Sequence, residues 1–324
     1  MKILLLRFSS IGDIVLTTPV VRCLKQQLGA ELHYLTKEKF AQVLSANPYL
    51  DRIHTFEKSL AQIMPELRRE KFDWIIDLHH NLRSARVKWT LRRPSKAFDK
   101  LNLEKWLLVR LGINRLPDIH IVDRYMQTVR HLGVRYDGKG LDYFIPGREE
   151  VVPGDLDTRL KPGRYLVFNI GANHATKRLP LEKIAAVCRN LPMPVVLLGG
   201  QAEQETGLQV AMQAGAHVFN YCGKLSLHQS ASVVRQAYKV LTHDSGLMHI
   251  AAAFRKEIVS IWGNTIPEFG MYPFYPEGQN QNVSMQVEGL KCRPCSKIGY
   301  ATCPKGHFRC MQDQDVDMIC RALK

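Results

Sequence analysis

Two doubly wound α/β domains in one chain are what the sequence predicts, on three observations. Short apolar runs of strand length alternate with amphipathic helical stretches. The alternation breaks once, in a stretch dense in glycine and proline over 137–163. Beyond it, the order of strand, small-residue loop and helix starts again. Such alternation builds βαβ units, whose parallel sheets are covered by helices on both faces. A length of 324 residues suits two domains of about 150 residues better than one core.

The elements follow in order. Lys2 to Phe8 is apolar almost throughout, the pattern of a strand buried on both faces. Ser9-Ser10-Ile11-Gly12-Asp13 makes a small polar turn, and a helix is expected from about 14 to 28, with Pro19 as an early irregularity and Gly29 near its end. Strands are expected at 31–35 and 52–56, helices at 37–45 and 58–70, and another apolar strand at 72–78. The break carries Gly138, Gly140, Pro146, Gly147, Pro153, Gly154, Pro162 and Gly163. After it come a strand at 164–170, a polar loop at 171–178 and a helix at 181–190. Strands at 194–198, 239–242 and 257–262 alternate with helices near 203–214, 226–237 and 246–253. The domains expected are 1–155 and 156–310, with 311–324 as a terminal helix.

Composition narrows the function. Hydrophobic residues are 45% and charged residues 23%, ordinary for a globular chain. No apolar run approaches the roughly 18 residues that span a bilayer. Arg7 and Asp13 cut short the signal-like start, so export is not expected. Lysine and arginine number 45 against 30 acids, a net charge of +15 that calls for an anionic partner. Ten basic residues fall between Arg83 and Arg115, against Asp99 and Glu104 alone. The plain reading is a solvated basic surface; the clustering favours a face turned to an anion. Among eight cysteines, Cys23, Cys188, Cys222 and Cys320 read as small buried hydrophobes. Cys292-x2-Cys295-x7-Cys303-x6-Cys310, with His307 among them, leaves a structural metal and a reduced loop both open.

Neither G-x-G-x-x-G nor G-x-x-x-x-G-K-[ST] occurs, so dinucleotide enzymes and P-loop NTPases lose their usual support. Three polar loops at strand ends stand out instead, where open α/β sheets bind ligands. Ser9, Ser10, Gly12 and Asp13 place hydroxyls and a carboxylate at a helix start; simple capping explains them too. Asp13, near a positive helix end, is expected to stay ionised at neutral pH and able to accept a proton. Thr176, Lys177 and Arg178 offer a hydroxyl, an ammonium and a guanidinium beside exposed helix amides, a set suited to a diphosphate. Asp244, Ser245 and Gly246 follow a strand, with His249 one helical turn beyond Ser245. No G-x-S-x-G elbow accompanies that serine, which argues against a hydrolase triad.

Taken together these pieces resemble the heptosyltransferases of glycosyltransferase family 9. The matching stretches are Phe8 to Pro19, Gly171 to Arg178, Leu197 to Gly200, Asp244 to Ala253, Trp262-Gly263-Asn264-Thr265 and the cysteine-rich tail, in family order over nearly the whole chain. The resemblance implies a GT-B architecture: two Rossmann-like domains with an interdomain cleft, an acceptor in the first and ADP-heptose in the second. It implies inverting transfer of heptose to the lipopolysaccharide inner core, with no cofactor and no metal in the chemistry. Asp13 matches the general base. Thr176, Lys177, Arg178, Asp244, Ser245, Gly246 and His249 match the donor site, Leu225 and Ser226 the nucleobase contact, and Glu205 a ribose contact. Ser9, Ser10, Gly12, Asn81 and Arg83 would meet the acceptor, an anionic glycolipid at the inner leaflet, in a cytoplasmic and peripheral enzyme. Ser245 replaces a common threonine and Leu179 a common aromatic. The rival readings are another GT-B nucleotide-sugar enzyme such as an epimerase, and a basic nucleic-acid-binding protein; the second lacks interleaved stacking aromatics, and no nucleic-acid partner is expected.

Overall fold

The run Lys2–Leu6 forms β1, with Ile3 to Leu6 wholly buried, as an apolar strand inside a parallel sheet must be. The computed structural model describes residues 1–324. They fall into two units, each built on one parallel sheet, the expected Rossmann-like doubly wound pattern.

The first unit comprises Met1–Leu101, Ile119–Pro146 and Pro276–Gly278. Its five strands are β1, β2 (Glu31–Lys37), β3 (Arg52–Phe56), β4 (Trp74–Asp77) and β5 (Ser95–Ala97), in the order β3-β2-β1-β4-β5. Leu4 lies opposite His33 on one side and Ile75 on the other. Leu4, Leu6, Phe8, Leu35, Phe56, Leu67, Phe72 and Ile75 pack into one core. The helix expected over 14–28 is two pieces, Ile11–Val15 and Thr18–Leu28. Pro19 has no N–H to continue the ladder, and the Thr17 hydroxyl donates to the Ile14 carbonyl at 2.7 Å, closing the first piece. The second piece ends at Gly29, whose φ of 57° turns the chain out of the helix.

The second unit comprises Asn102–Asp118, Gly147–Tyr275 and Gln279–Lys324. Its six strands are β6 (Leu166–Asn169), β7 (Val195–Leu198), β8 (Val218–Asn220), β9 (Lys239–His243), β10 (Glu257–Trp262) and β11 (Asn282–Gln286), in the order β11-β10-β9-β6-β7-β8. This division differs from the expected boundaries: the switch between units falls at 146/147 rather than 155/156, residues 276–278 group with the first unit, and two further segments are placed otherwise. Residues 102–118 group with the second unit, where Lys297 donates to Asn102 and the Lys105 ammonium lies over the Phe269 ring. The terminal helix, Val316–Leu323 with Asp315 as its cap, is no appendage: Ile319, Cys320 and Leu323 join Ile184, Cys188 and Leu197 in the second core.

Both strand orders fix where a ligand can bind. The connections after the neighbours β1 and β4 run in opposite directions, to β2 and to β5, and those after the neighbours β6 and β9 run to β7 and to β10. Loops diverge at such a reversal and open a crevice outside the carboxyl ends of the two strands. The relevant loops are therefore 7–13 and 78–81 in the first unit, and 170–178 and 244–246 in the second.

Candidate active site

In the first unit the two loops are stitched by a residue that the sequence pattern shows only as an interruption. Arg7 ends the apolar run of β1 and is buried. Its guanidinium donates to the Ser9 carbonyl (2.8 Å), the Leu78 carbonyl (2.6 Å) and the Tyr125 hydroxyl (2.9 Å), and pairs with Asp13 Oδ1 at 2.6 Å. Burial works against its charge, yet the Asp13 carboxylate with Tyr125 and Tyr34 outweighs burial and raises its pKa. The other Asp13 oxygen accepts the Ser10 N–H (3.0 Å) and hydroxyl (2.8 Å). Asp13 is therefore an oriented carboxylate in the first turn of Ile11–Val15, and Gly12, Ser9 and Ser10 share its turn.

The loop after β4 is organised by buried Asp77. It pairs with Lys88 (2.8 Å) and accepts the His79 and His80 N–H groups and the Ser84 hydroxyl. Burial raises its pKa, but these partners reverse the effect and the net shift is downward. Asn81 is spent on capping the helix Leu82–Leu91, its side chain accepting the Ser84 N–H at 2.9 Å, while Arg83 is exposed on the first turn. His79 packs tilted against Phe8, ring centroids 4.7 Å apart, and burial followed by the Arg7 charge pushes its pKa down to about 3, which keeps it neutral.

In the second unit Asn169, at the end of β6, spans the strand reversal. Its amide donates to Thr242 of β9 (3.1 Å), to Ser245 (2.8 Å) and to the Gly171 carbonyl (3.1 Å). Lys177 pairs with Asp244 at 2.5 Å, and the same Asp244 oxygen accepts the Thr265 hydroxyl at 2.9 Å. Arg178 pairs with Glu203 at 2.7 Å, and Glu203 also accepts the Gly200 N–H at 2.9 Å. Each cation of the loop thus has one carboxylate partner, which an arriving diphosphate would displace. Ser245 precedes Gly246 at the start of the helix Gly246–Ala253, and His249 is buried within it. Buried His243 accepts the Leu179 N–H at 3.0 Å; burial, then Arg178, pushes it down to about 3.

Several expected donor contacts have other engagements. Thr176 is buried, and its hydroxyl is bonded to the Tyr300 backbone, accepting its N–H at 2.8 Å. Glu205 is exposed on Gln204–Ala214, where it accepts from Gln209; the carboxylate in the loop itself is Glu203, two residues earlier. Leu225 and Ser226 follow β8, two strands from β6, and Ser226 caps Leu227–Gln236 while its hydroxyl donates to Glu149 at 2.7 Å. Asn264 is buried with neither polar atom of its amide partnered, beside the Thr265 that holds Asp244.

The cysteine-rich segment is a brace for these loops. Its four thiols form no disulfide. Cys295 donates to the Cys292 carbonyl at 2.8 Å, and burial, reinforced by Cys292, Cys310 and Cys303, pushes it up to about 12. Arg293 donates to the carbonyls of Gly263 (2.5 Å) and Thr265 (3.0 Å). A Cβ on Gly263 would lie 2.6 Å from Met311 and 2.7 Å from the Thr176 carbonyl, and one on Gly299 2.6 Å from His174. The brace therefore lies flat against the 174–176 loop, at a distance only glycine permits.

Such units are the fold of glycosyltransferases already solved. The glycosyl transferase family 9 structure from Veillonella parvula aligns with a TM-score of 0.77 at 23% identity, covering 99% of this chain and 96% of that one. The Escherichia coli structure named ADP-heptose lps heptosyltransferase II aligns at 0.72 and 20%, covering 100% and 97%. The family model described as glycosyltransferase family 9 (heptosyltransferase) matches residues 60–302, and the chain belongs to that family. It is a glycosyltransferase. Among curated relatives, lipopolysaccharide heptosyltransferase 1 of Pseudomonas aeruginosa is 28% identical over 330 residues (92% of this chain, 86% of that one). That of Campylobacter coli is 24% identical over 297 residues (82% and 84%).

Proposed function

We propose that this enzyme transfers a heptose from ADP-heptose to the inner core of lipopolysaccharide, Kdo–lipid A or a heptosylated core, with inversion and no metal in the chemical step. The observation that carries the reading is a pair of prepared half-sites: a carboxylate oriented by Arg7 and Ser10 at one strand reversal, and paired cations at the other. The acceptor hydroxyl oxygen attacks the anomeric carbon as Asp13 takes its proton. The bond to the diphosphate breaks on the opposite face, and ADP departs with the electron pair. Lys177 exchanges Asp244 for the diphosphate, and Arg178 exchanges Glu203. The amides at the start of Gly246–Ala253 add their partial charge. Asn264 supplies an amide that the chain itself leaves unpaired.

The same reading puts the enzyme at the cytoplasmic face of an anionic membrane. No helix is long and apolar enough to cross a membrane. On Leu82–Leu91, however, Leu82 is 91% and Trp89 76% exposed beside Arg83 and Arg86. Leu103 and Trp106 are exposed beside Arg110 on Asn102–Leu111. Exposed Trp and Leu among arginines suit an interface of anionic lipid headgroups.

The test is incubation with a panel of nucleotide-sugars and truncated lipid A–Kdo acceptors, read by mass spectrometry. Addition of one heptose to the acceptor is expected; sugar isomerisation without acceptor would replace this reading by an epimerase. Vesicles rich in anionic lipid should co-sediment the wild-type chain, and Trp89→Glu should reduce the bound fraction. Equal sedimentation of the two would remove the membrane assignment.

A further inference from the structure

A second constellation lies toward the amino ends of β1, β2 and β3, away from the loop that carries Asp13. His33 and His54 are buried side by side, and the ring of Phe72 packs edge-on against both (centroids 5.3 and 6.3 Å). His33 Nδ1 and His54 Nε2 face each other at 2.9 Å. Their outer nitrogens are both on carboxylates: His33 Nε2 is 3.0 Å from Glu31, and His54 Nδ1 is 2.7 Å from Glu66. An ionised carboxylate only accepts, so each outer nitrogen carries the ring's proton, and a neutral imidazole has only one. The two inner lone pairs then point at each other, which is repulsive unless a positive centre lies between them.

We propose that His33, His54 and Glu70 form a binding site for a divalent transition-metal ion of the zinc type. Glu70 Oε2 is 3.9 Å from His33 Nδ1, and the three donor atoms lie within 4.8 Å of one another. Two imidazoles and a carboxylate are a borderline-soft donor set suited to zinc or cobalt. With bonds of about 2.1 Å, cis ligands of an octahedral ion stand about 3.0 Å apart and tetrahedral ones about 3.4 Å. The imidazoles are already near the first spacing, and Glu70 must close by about 1 Å on His33 and by up to about 2 Å on His54. Outer nitrogens held by Glu31 and Glu66 are the carboxylate–histidine arrangement that orients metal-binding imidazoles.

The surrounding charge allows for the ion. Glu31, Glu66 and Glu70 are opposed by Lys2 and Arg52, which leaves one negative charge over. Lys2 (2.8 Å) and Arg52 (2.6 Å) hold the Glu70 carboxylate, whose four lone-pair sites leave room for a third partner.

The experiment uses the full chain carrying Cys292→Ser, Cys295→Ser and Cys303→Ser, which leaves Cys310 as the one thiol of the cysteine-rich segment and removes that segment as a competing site. After chelator treatment it is titrated with Zn²⁺ by calorimetry and with Co²⁺ by absorbance. We expect about one equivalent of metal and a cobalt spectrum without a sulfur-to-metal charge-transfer band. His54→Gln should abolish binding. Glu70→Gln, on a half-buried residue outside the core, should weaken it at least tenfold if His54→Gln does not fold. Glu66→Gln, which removes only an orienting carboxylate, should weaken it by roughly 10–100-fold. Absence of binding in the parent, or undiminished binding in His54→Gln and Glu70→Gln, overturns the site. So does a chain that ignores zinc but gains stability on mild acidification, because a proton would then be the positive centre.

Discussion

Arg7 offers the sharpest separation of structure from chemistry. Arg7→Leu takes one buried guanidinium from the Ser9 and Leu78 carbonyls, the Tyr125 hydroxyl and the Asp13 carboxylate. Breaking a buried pair from one side costs about 3–5 kcal/mol. The Asp13 side chain keeps 18% exposure, which places the cost near the low end, about 3 kcal/mol, or a Tm lower by roughly 6–12 °C. Arg7→Lys keeps the charge but cannot reach all four partners, and should cost about 2 kcal/mol. Both variants weaken the hold on Oδ1 and leave Ser10 to hold Oδ2, so the carboxylate can tilt from the acceptor hydroxyl, a misplacement worth about 100-fold in kcat. The assay is steady-state transfer well below the Tm of each variant, beside calorimetric ADP binding. A roughly 100-fold lower kcat for Arg7→Lys is expected, with ADP affinity unchanged because the loops proposed for the donor belong to the other unit. A lowered Tm with kcat intact would show that Arg7 only braces the loops and does not position Asp13.

Two further outcomes follow. Lys177→Ala should weaken ADP binding by roughly 10–100-fold, the loss of one charged hydrogen bond, and unchanged calorimetric affinity would remove Lys177 from the diphosphate site. His243 is held neutral, with a pKa pushed down to about 3, so the unfolded chain binds its proton more readily. Its contribution is complete above about pH 6.5 and is lost as pH falls toward 3, by about 2 kcal/mol at pH 5. In urea unfolding at about pH 7.5 and 5, His243→Gln should therefore lose about 2 kcal/mol less than wild type. An equal loss in both chains would contradict the assignment.

The central strands were legible because burial on both faces leaves an unbroken apolar run, as in Lys2–Leu6 and Val195–Leu198. Of the four strands at the sheet margins, β3 was found where expected and the other three were not read. β5, β8 and β11 are three to five residues long, and exposed Ser95, Lys96 and Val283 erase the pattern. The loops of the site showed themselves as small polar clusters after strands, yet their wiring did not. Nothing in the chain order tells that Glu203 rather than Glu205 turns back onto the Gly200 N–H. Arg7 read as a break in an apolar run because its partners Leu78 and Tyr125 are 71 and 118 residues away. The brace formed by Arg293, Gly299 and Tyr300 was hidden by the cysteines around it, whose spacing draws attention to metal binding and away from packing.

The decisive measurement is single-turnover transfer by Asp13→Asn, paired with ADP-heptose binding to the same protein. An amide of the same shape can still accept from Ser10, but it gives up the Arg7 pair and cannot take a proton, so the chemical step should slow by about 10²–10⁴-fold while donor affinity stays at the wild-type value. Transfer at a rate near wild type would mean that the acceptor proton leaves by another route, and the mechanism built on Asp13 would be wrong.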